Sequence, residues 1–185
     1  AVGQKLLPAQ LAKMQQMLPS RGPLWQPNLR EKYSADPKAR ADGKSKATVG
    51  FLAGCVGSVV FQDINRETIA LLQHAGCDVL VPKAQVCCGA IHHHGGKIEK
   101  AAALARANIE AFEGADFIVN NAAGCGAMLK DYAHLLRDDA QYAERAKAFV
   151  KRTRDISELL IELKPSLPTN RLEQTVTYHD ACHLV

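Results

Sequence analysis

The chain has 185 residues, 47% hydrophobic and 23% charged, with a net charge of +4. That is enough apolar material for one domain with a sizeable core, and the mild basic excess sits on no motif-bearing helix, which argues against nucleic-acid binding. No apolar run reaches the ~18 residues of a membrane helix and no signal peptide is visible, so the expectation is a cytoplasmic protein, at most peripheral at the inner face of the cell membrane.

Residues 1–46 read as a helical and extended linker. Leu7, Leu11, Met14 and Leu18 fall on one helical face, with Pro8 and Pro19 near its ends. A turn-rich stretch with Pro23 and Pro27 follows, and its Trp25 suits the plugging of a groove. Arg30 to Lys46 carries six Lys/Arg against three acids, a solvated linker or a basic arm for a partner or anionic membrane surface.

From Ala47 to Val185 the pattern is that of an α/β domain. "ATVGFLAG" (47–54) predicts a short buried strand, and 59–74 a helix with Val60, Phe61, Ile64, Leu71 and Leu72 on one side. "CDVLVP" (77–82) predicts a second strand and 97–113 a second helix, with Ile98, Ala101, Ala105, Ile109 and Phe112 at helical spacing. "ADFIVNN" (115–121) predicts a third strand, 126–137 and 141–163 helices, and "QTVTYHD" (174–180) a fourth strand. Strands alternating with helices of this length imply right-handed crossovers and a parallel sheet with helices on both faces, a Rossmann-like three-layer fold.

The six cysteines then fall into a pattern. Cys55 follows the first predicted strand, Cys87 and Cys88 the second, Cys125 the third and Cys182 the fourth. In a parallel sheet the carboxyl ends of the strands share one edge, where open α/β folds bind ligands. Cys77 begins a strand, at the opposite edge, and reads as a small buried hydrophobe. A disulfide would pair two of these residues without explaining a cysteine after every strand. The chain is also long enough to need no disulfide staples, so thiols kept for metal or redox work fit better. Thiolates select zinc or iron–sulfur. Structural zinc commonly uses C-x2-C knuckles, and none is present. Ligands spread over three strand ends suit a multi-iron cluster, and adjacent cysteines can reach different irons of it. Gly54, Gly57, Gly89, Gly95, Gly96, Gly124 and Gly126 let the backbone approach such a cluster and donate N–H bonds to its sulfurs.

The spacing C-x31-C-C-G-x35-C, from Cys55 through Cys87, Cys88 and Gly89 to Cys125, resembles the cysteine-rich CCG domain of heterodisulfide reductases and of iron–sulfur subunits of respiratory 2-hydroxy-acid dehydrogenases. The words "FLAGCVGSVVFQDINRETIALLQHAGCDV", "CCGAIHHHGG", "AAGCGAMLKDYAHLL" and "YHDACHL" are similar to the glycolate oxidase iron–sulfur subunit family, over about residues 48 to 185. The resemblance implies an electron-transfer subunit with a [4Fe–4S] cluster, on metal ligands Cys55, Cys87, Cys88, Cys125 and Cys182, with Gly89, Gly124, Gly126 and His179 beside it. It implies flavin-containing dehydrogenase subunits as partners, glycolate as substrate of the complex, and the quinone pool or membrane periphery as destination of the electrons. No activity is expected of the isolated chain. Family members carry two CCG repeats and a ferredoxin-like module. Here one repeat is complete and "YHDACHLV" opens a second, so an internal fragment, with the cluster absent from it, is the expectation. The fullest pattern ends C-x2-C, and Met128 stands at that last position. The alternative reading is a zinc-binding or thiol–disulfide module using the same cysteines.

Of the other candidates, His92, His93 and His94 cannot all reach one metal from one loop, leaving a solvated loop or a single histidine lining the pocket. His179, Asp180 and His183 flank Cys182, as partners that order its loop or as a Cys–His nucleophile pair. Asn120 and Asn121 end the third predicted strand, capping the Cys125 loop or offering an N–H to a cluster sulfur. Lys83 reads as a solvated charge.

Overall fold

The apolar runs of the sequence are short and rich in β-branched or aromatic residues, as strands buried on both faces require. In the computed structural model, which describes residues 29–40, 42–166 and 173–177, they form β2 (Ala47–Phe51), β3 (Cys77–Leu80) and β4 (Phe117–Asn120). Two further strands complete a five-stranded sheet, β1 (Lys32–Tyr33) and β5 (Thr153–Asp155), in the order β1-β3-β2-β4-β5. β3, β2, β4 and β5 are parallel, with Ala47 opposite Cys77, Phe51 opposite Val119 and Ile118 opposite Thr153. β1 is antiparallel, Lys32 opposite Leu80. The fold is thus α/β as expected, with one antiparallel edge strand on a parallel sheet.

Among the described residues eight α-helices flank the sheet: α1 (Gly57–Val60), α2 (Gln62–His74), α3 (Ala90–His94), α4 (Ile98–Ala111), α5 (Ala123–Lys130), α6 (Tyr132–Leu135), α7 (Ala143–Arg152) and α8 (Ile156–Leu163). Successive strand residues point to opposite faces, so Ile118 and Val119 enter two separate cores. On one face Ile69 and Leu72 of α2 and Leu159 of α8 pack with Val49, Phe51, Val79 and Val119. On the other, Ala105 and Ile109 of α4, Met128 and Leu129 of α5, Tyr132 of α6 and Phe149 of α7 pack with Ile118 and Leu52. There Phe149 stands 5.4 Å from Tyr132 and 6.4 Å from Phe112, centroid to centroid, in aromatic pairs that contribute about 0.5–1.5 kcal/mol each beyond area burial.

Four expectations need correction. The predicted helix 141–163 is two helices around β5: the first ends at Arg152, where Thr153 turns extended, and Asp155 starts the second, its carboxylate accepting from Ser157 N–H at 2.9 Å while Glu158 reaches back to Asp155 N–H at 2.7 Å, a complete capping box. The fourth parallel strand is therefore Thr153–Asp155, and the described part of the predicted strand 174–180, residues 174–177, is not a strand. In the predicted helix 59–74, Phe61 and Ile64 are about half exposed, and the buried face is Asn65, Thr68, Ile69 and Leu72. Ile98 likewise lies outside the buried face of α4.

The stretch before Ala47 lies against the sheet where it is described. Asp78 accepts from Ala35 N–H at 2.8 Å, Gln73 O accepts from Asp36 N–H at 2.9 Å, and Gln73 Nε2 donates to Ser34 O at 2.6 Å. Leu7, Leu11, Met14, Leu18 and Trp25 lie outside the described residues. No described helix is long and apolar enough to cross a membrane.

Candidate functional site

The connection leaving β2 runs to β3 on one side, and that leaving β4 runs to β5 on the other. Between such strands the loops diverge and leave a crevice at their carboxyl ends. Cys55 lies in the loop after β2 and Cys125 in the first turn of α5 after β4, either side of that crevice, and Cys87 and Cys88 come in from the loop after β3. All four line one cavity of about 460 Å³, with Leu52, Phe61, Ile64, Ile91, Asn120 and Gly124.

Side-chain amides tie these loops together. Gln85 joins the β3 loop to β2: its Oε1 accepts from Ala53 N–H at 2.9 Å and its Nε2 donates to Phe51 O at 3.2 Å. Asn65 of α2 donates to Ala53 O at 3.0 Å and accepts at 3.0 Å from Asn121, which also donates to Thr68 Oγ1, so one chain of amides spans the loops after β2 and β4. Asn108 and Tyr132, both fully buried, hold the double cysteine itself. Asn108 Oδ1 accepts from Val86 N–H at 2.9 Å, and its Nδ2 donates to Cys87 O at 3.1 Å and to the Tyr132 hydroxyl at 3.0 Å. The hydroxyl in turn donates to Cys88 O at 2.9 Å, and burial pushes the phenol pKa up, keeping that proton in place.

The thiols meet in two pairs. Cys55 and Cys87 Sγ atoms are 3.6 Å apart, Cys88 and Cys125 3.3 Å, and all four are free. Cys88 donates to Cys125; that bond, then burial, pushes the Cys88 thiol up, while the same bond pulls Cys125 down against its own burial, making Cys125 the easier thiolate. Burial, then the hydrogen bond to Cys87, pushes Cys55 up. Gly89 lets the loop turn: its φ of +91° is open to glycine at little cost, and its N–H lies 3.5 Å from Cys87 Sγ.

The sulfur set fits an iron–sulfur group. Among the described residues the cavity wall carries four cysteines and no His, Asp or Glu, and thiolate is the donor that soft metals and iron–sulfur clusters select. Among the described residues no three or more His, Cys, Asp or Glu close around a single ion; the thiols instead pair off around a space far larger than one bare ion. Asn120, on the same wall, keeps a buried amide donor with no partner among the described residues.

Cys77 is buried at the start of β3 in the opposite core, where burial raises its pKa to about 11. His92, His93 and His94 form α3, and none lines the cysteine cavity. Lys83 is exposed beside a second cavity of about 510 Å³ that shares Cys55 and Cys87. Met128 is 4% exposed and belongs to the α4–α7 core, so the position where the fullest pattern has a cysteine serves packing here. Gly124 lines the cavity, where an added Cβ would meet only open space, and Gly126 lies against the Asn120 amide. His179, Asp180, Cys182 and His183 lie outside the described residues. Gln85, Asn108 and Tyr132 had no part in the sequence reading; a polar Asn108 among the core positions Ala101, Ala105 and Ile109 is the one hint the sequence holds.

A probable glycolate oxidase iron–sulfur subunit of Bacillus subtilis is 46% identical over 146 residues, which cover 77% of this chain and 33% of that protein. Lactate utilization protein A of Halalkalibacterium halodurans is 34% identical over 74% of this chain and 56% of its own length, and that of Bacillus licheniformis 31% identical over 74% and 58%. The chain thus spans between a third and somewhat over half of these relatives. No solved structure matches it significantly. Residues 49–130, which contain all four convergent cysteines, match the cysteine-rich domain designated CCG, and this part of the chain belongs to that family.

Proposed function

We propose that the chain is an electron-carrying iron–sulfur subunit of an oxidoreductase acting on a 2-hydroxy acid, with Cys55, Cys87, Cys88 and Cys125 as ligands of a [4Fe–4S] cluster. One observation carries this: four thiols from three strand-end loops line one cavity. A bound cluster supplies one-electron storage and transfer. The chain's own residues deliver four soft donors, hold the double cysteine by its carbonyls, and surround the site with apolar side chains. The relatives' printed names, glycolate oxidase and lactate utilization, support the oxidoreductase class. Glycolate is the substrate we assign to the complex, with a flavin-bearing subunit as electron source and quinone as acceptor, in the cytoplasm.

The test is anaerobic. The protein is loaded with iron and sulfide, combined with its flavin-bearing partners, and mixed with glycolate in an EPR tube. Glycolate-dependent appearance of a reduced-cluster signal supports the reading. A cluster that stays oxidised while glyoxylate accumulates overturns the electron-carrier role, and uptake of one tight zinc in place of iron overturns the cluster.

A further inference from the structure

We propose that the side-chain amide of Asn120 donates a hydrogen bond to a sulfur of the group held by the four cysteines, and so sets that group's reduction potential. The proposal rests on the iron–sulfur reading above. Asn120 ends β4 at 1% exposure and lines the cysteine cavity. Its Oδ1 accepts from Ala122 N–H at 3.0 Å, which fixes which end of the amide is oxygen and which is nitrogen. The other end, Nδ2, is buried and has no hydrogen-bond partner among the described residues. A buried donor left without an acceptor is costly, and native proteins rarely keep one. The neighbouring Asn121 shows the contrast, since both its donor contacts are made, to Asn65 and Thr68.

Packing holds the Asn120 amide where it is. A Cβ added at Gly126 would stand 3.1 Å from Asn120 Nδ2 and 3.3 Å from Oδ1, tighter than ordinary contact. Glycine at 126 therefore leaves room for the amide beside the turn that carries Cys125. The metal-binding atoms on the cavity wall are sulfurs, and a thiolate or inorganic sulfide is an acceptor this donor lacks. Reduction adds negative charge to the sulfurs and strengthens an N–H···S bond, so the donor favours the reduced form and raises the potential.

Two substitutions test this in the iron-loaded protein. Asn120→Asp keeps an oxygen for Ala122 N–H and removes the donor; Asn120→Ala removes the donor without adding charge. EPR-monitored redox titration should show both variants reduced less readily, by about tenfold in equilibrium constant or about 59 mV for one electron, at unchanged iron per chain. An unmoved potential in Asn120→Ala overturns the proposal, since a shift confined to Asn120→Asp is the added charge alone. If both variants lose iron, the wild-type protein decides. Asparagine carrying nitrogen-15 only at the side-chain amide should show a hyperfine coupling in the reduced cluster's pulsed EPR spectrum, and its absence overturns the donor assignment. Wild-type protein that takes up no iron fails earlier, overturning the iron–sulfur reading and this assignment with it.

Discussion

The Cys88–Cys125 contact separates two thiols of the same type by their protons: one donates, the other is left as the better thiolate. Alkylation of the metal-free protein at limiting reagent should therefore label Cys125 well before Cys88, as read by peptide mass spectrometry. Faster labelling of Cys88 would contradict the direction of that bond. Cys77, raised to about 11 by burial, should react only on unfolding. Cys55 and Cys88 are both held above the ordinary thiol value, so a metal must displace their protons. Uptake should release protons and weaken as pH falls from 9 toward 6, the direction set by two raised thiol pKa values; pH-independent uptake would contradict it. The cysteines themselves were legible because their spacing repeats with the strands. Gln85, Asn108 and Tyr132 were not, since a buried amide or phenol looks like any other polar residue until its partners are placed around it. Removing the hydroxyl with Tyr132→Phe should cost about 1–2 kcal/mol in urea unfolding, the worth of a buried hydrogen bond. Unchanged stability would mean that Cys88 O has found another donor.

Short strands and helices of one or two turns are where sequence reading and structure part. β2, β3 and β4 were legible as brief apolar runs between turn residues. β5 was hidden because "TRDISELL" continues the helical texture of α7, and only the Asp155–Glu158 pair marks a new start. Asp155→Ala should destabilise the protein by about 1 kcal/mol through loss of that cap, measured by chemical denaturation, and an effect within a few tenths would show that tertiary packing alone positions α8. Phe61 and Ile64 mislead for a physical reason: apolar side chains at helical spacing predict core, whereas these two line the cysteine cavity. β1 was unreadable as two residues inside a charged segment, and it is defined by pairing with β3 rather than by its own composition.

The whole molecule explains why cysteines so far apart in sequence meet. Strand order β3-β2-β4 sends successive connections to opposite sides, so the ends of β2 and β4 are where loops part, and the β3 loop folds in beside them. For Cys55, Cys87, Cys88 and Cys125 that placement was legible from strand–cysteine alternation; at the fourth parallel strand the alternation fails, since no cysteine follows β5 closely. What the sequence could not supply was the pairing of the thiols or the amides that tie their loops. Because the four thiols line one cavity, joint ligation of one cluster predicts that losing any one costs the whole site. The most direct test is the iron and acid-labile sulfide content of anaerobically reconstituted wild-type protein beside Cys55→Ser, Cys87→Ser, Cys88→Ser, Cys125→Ser and the control Cys77→Ser. About four irons per chain, as a [4Fe–4S] cluster requires, are expected in wild type and Cys77→Ser, and a severe loss in each of the other four with the fold retained by circular dichroism. Full iron content in Cys88→Ser, or loss in Cys77→Ser matching the rest, would contradict joint ligation.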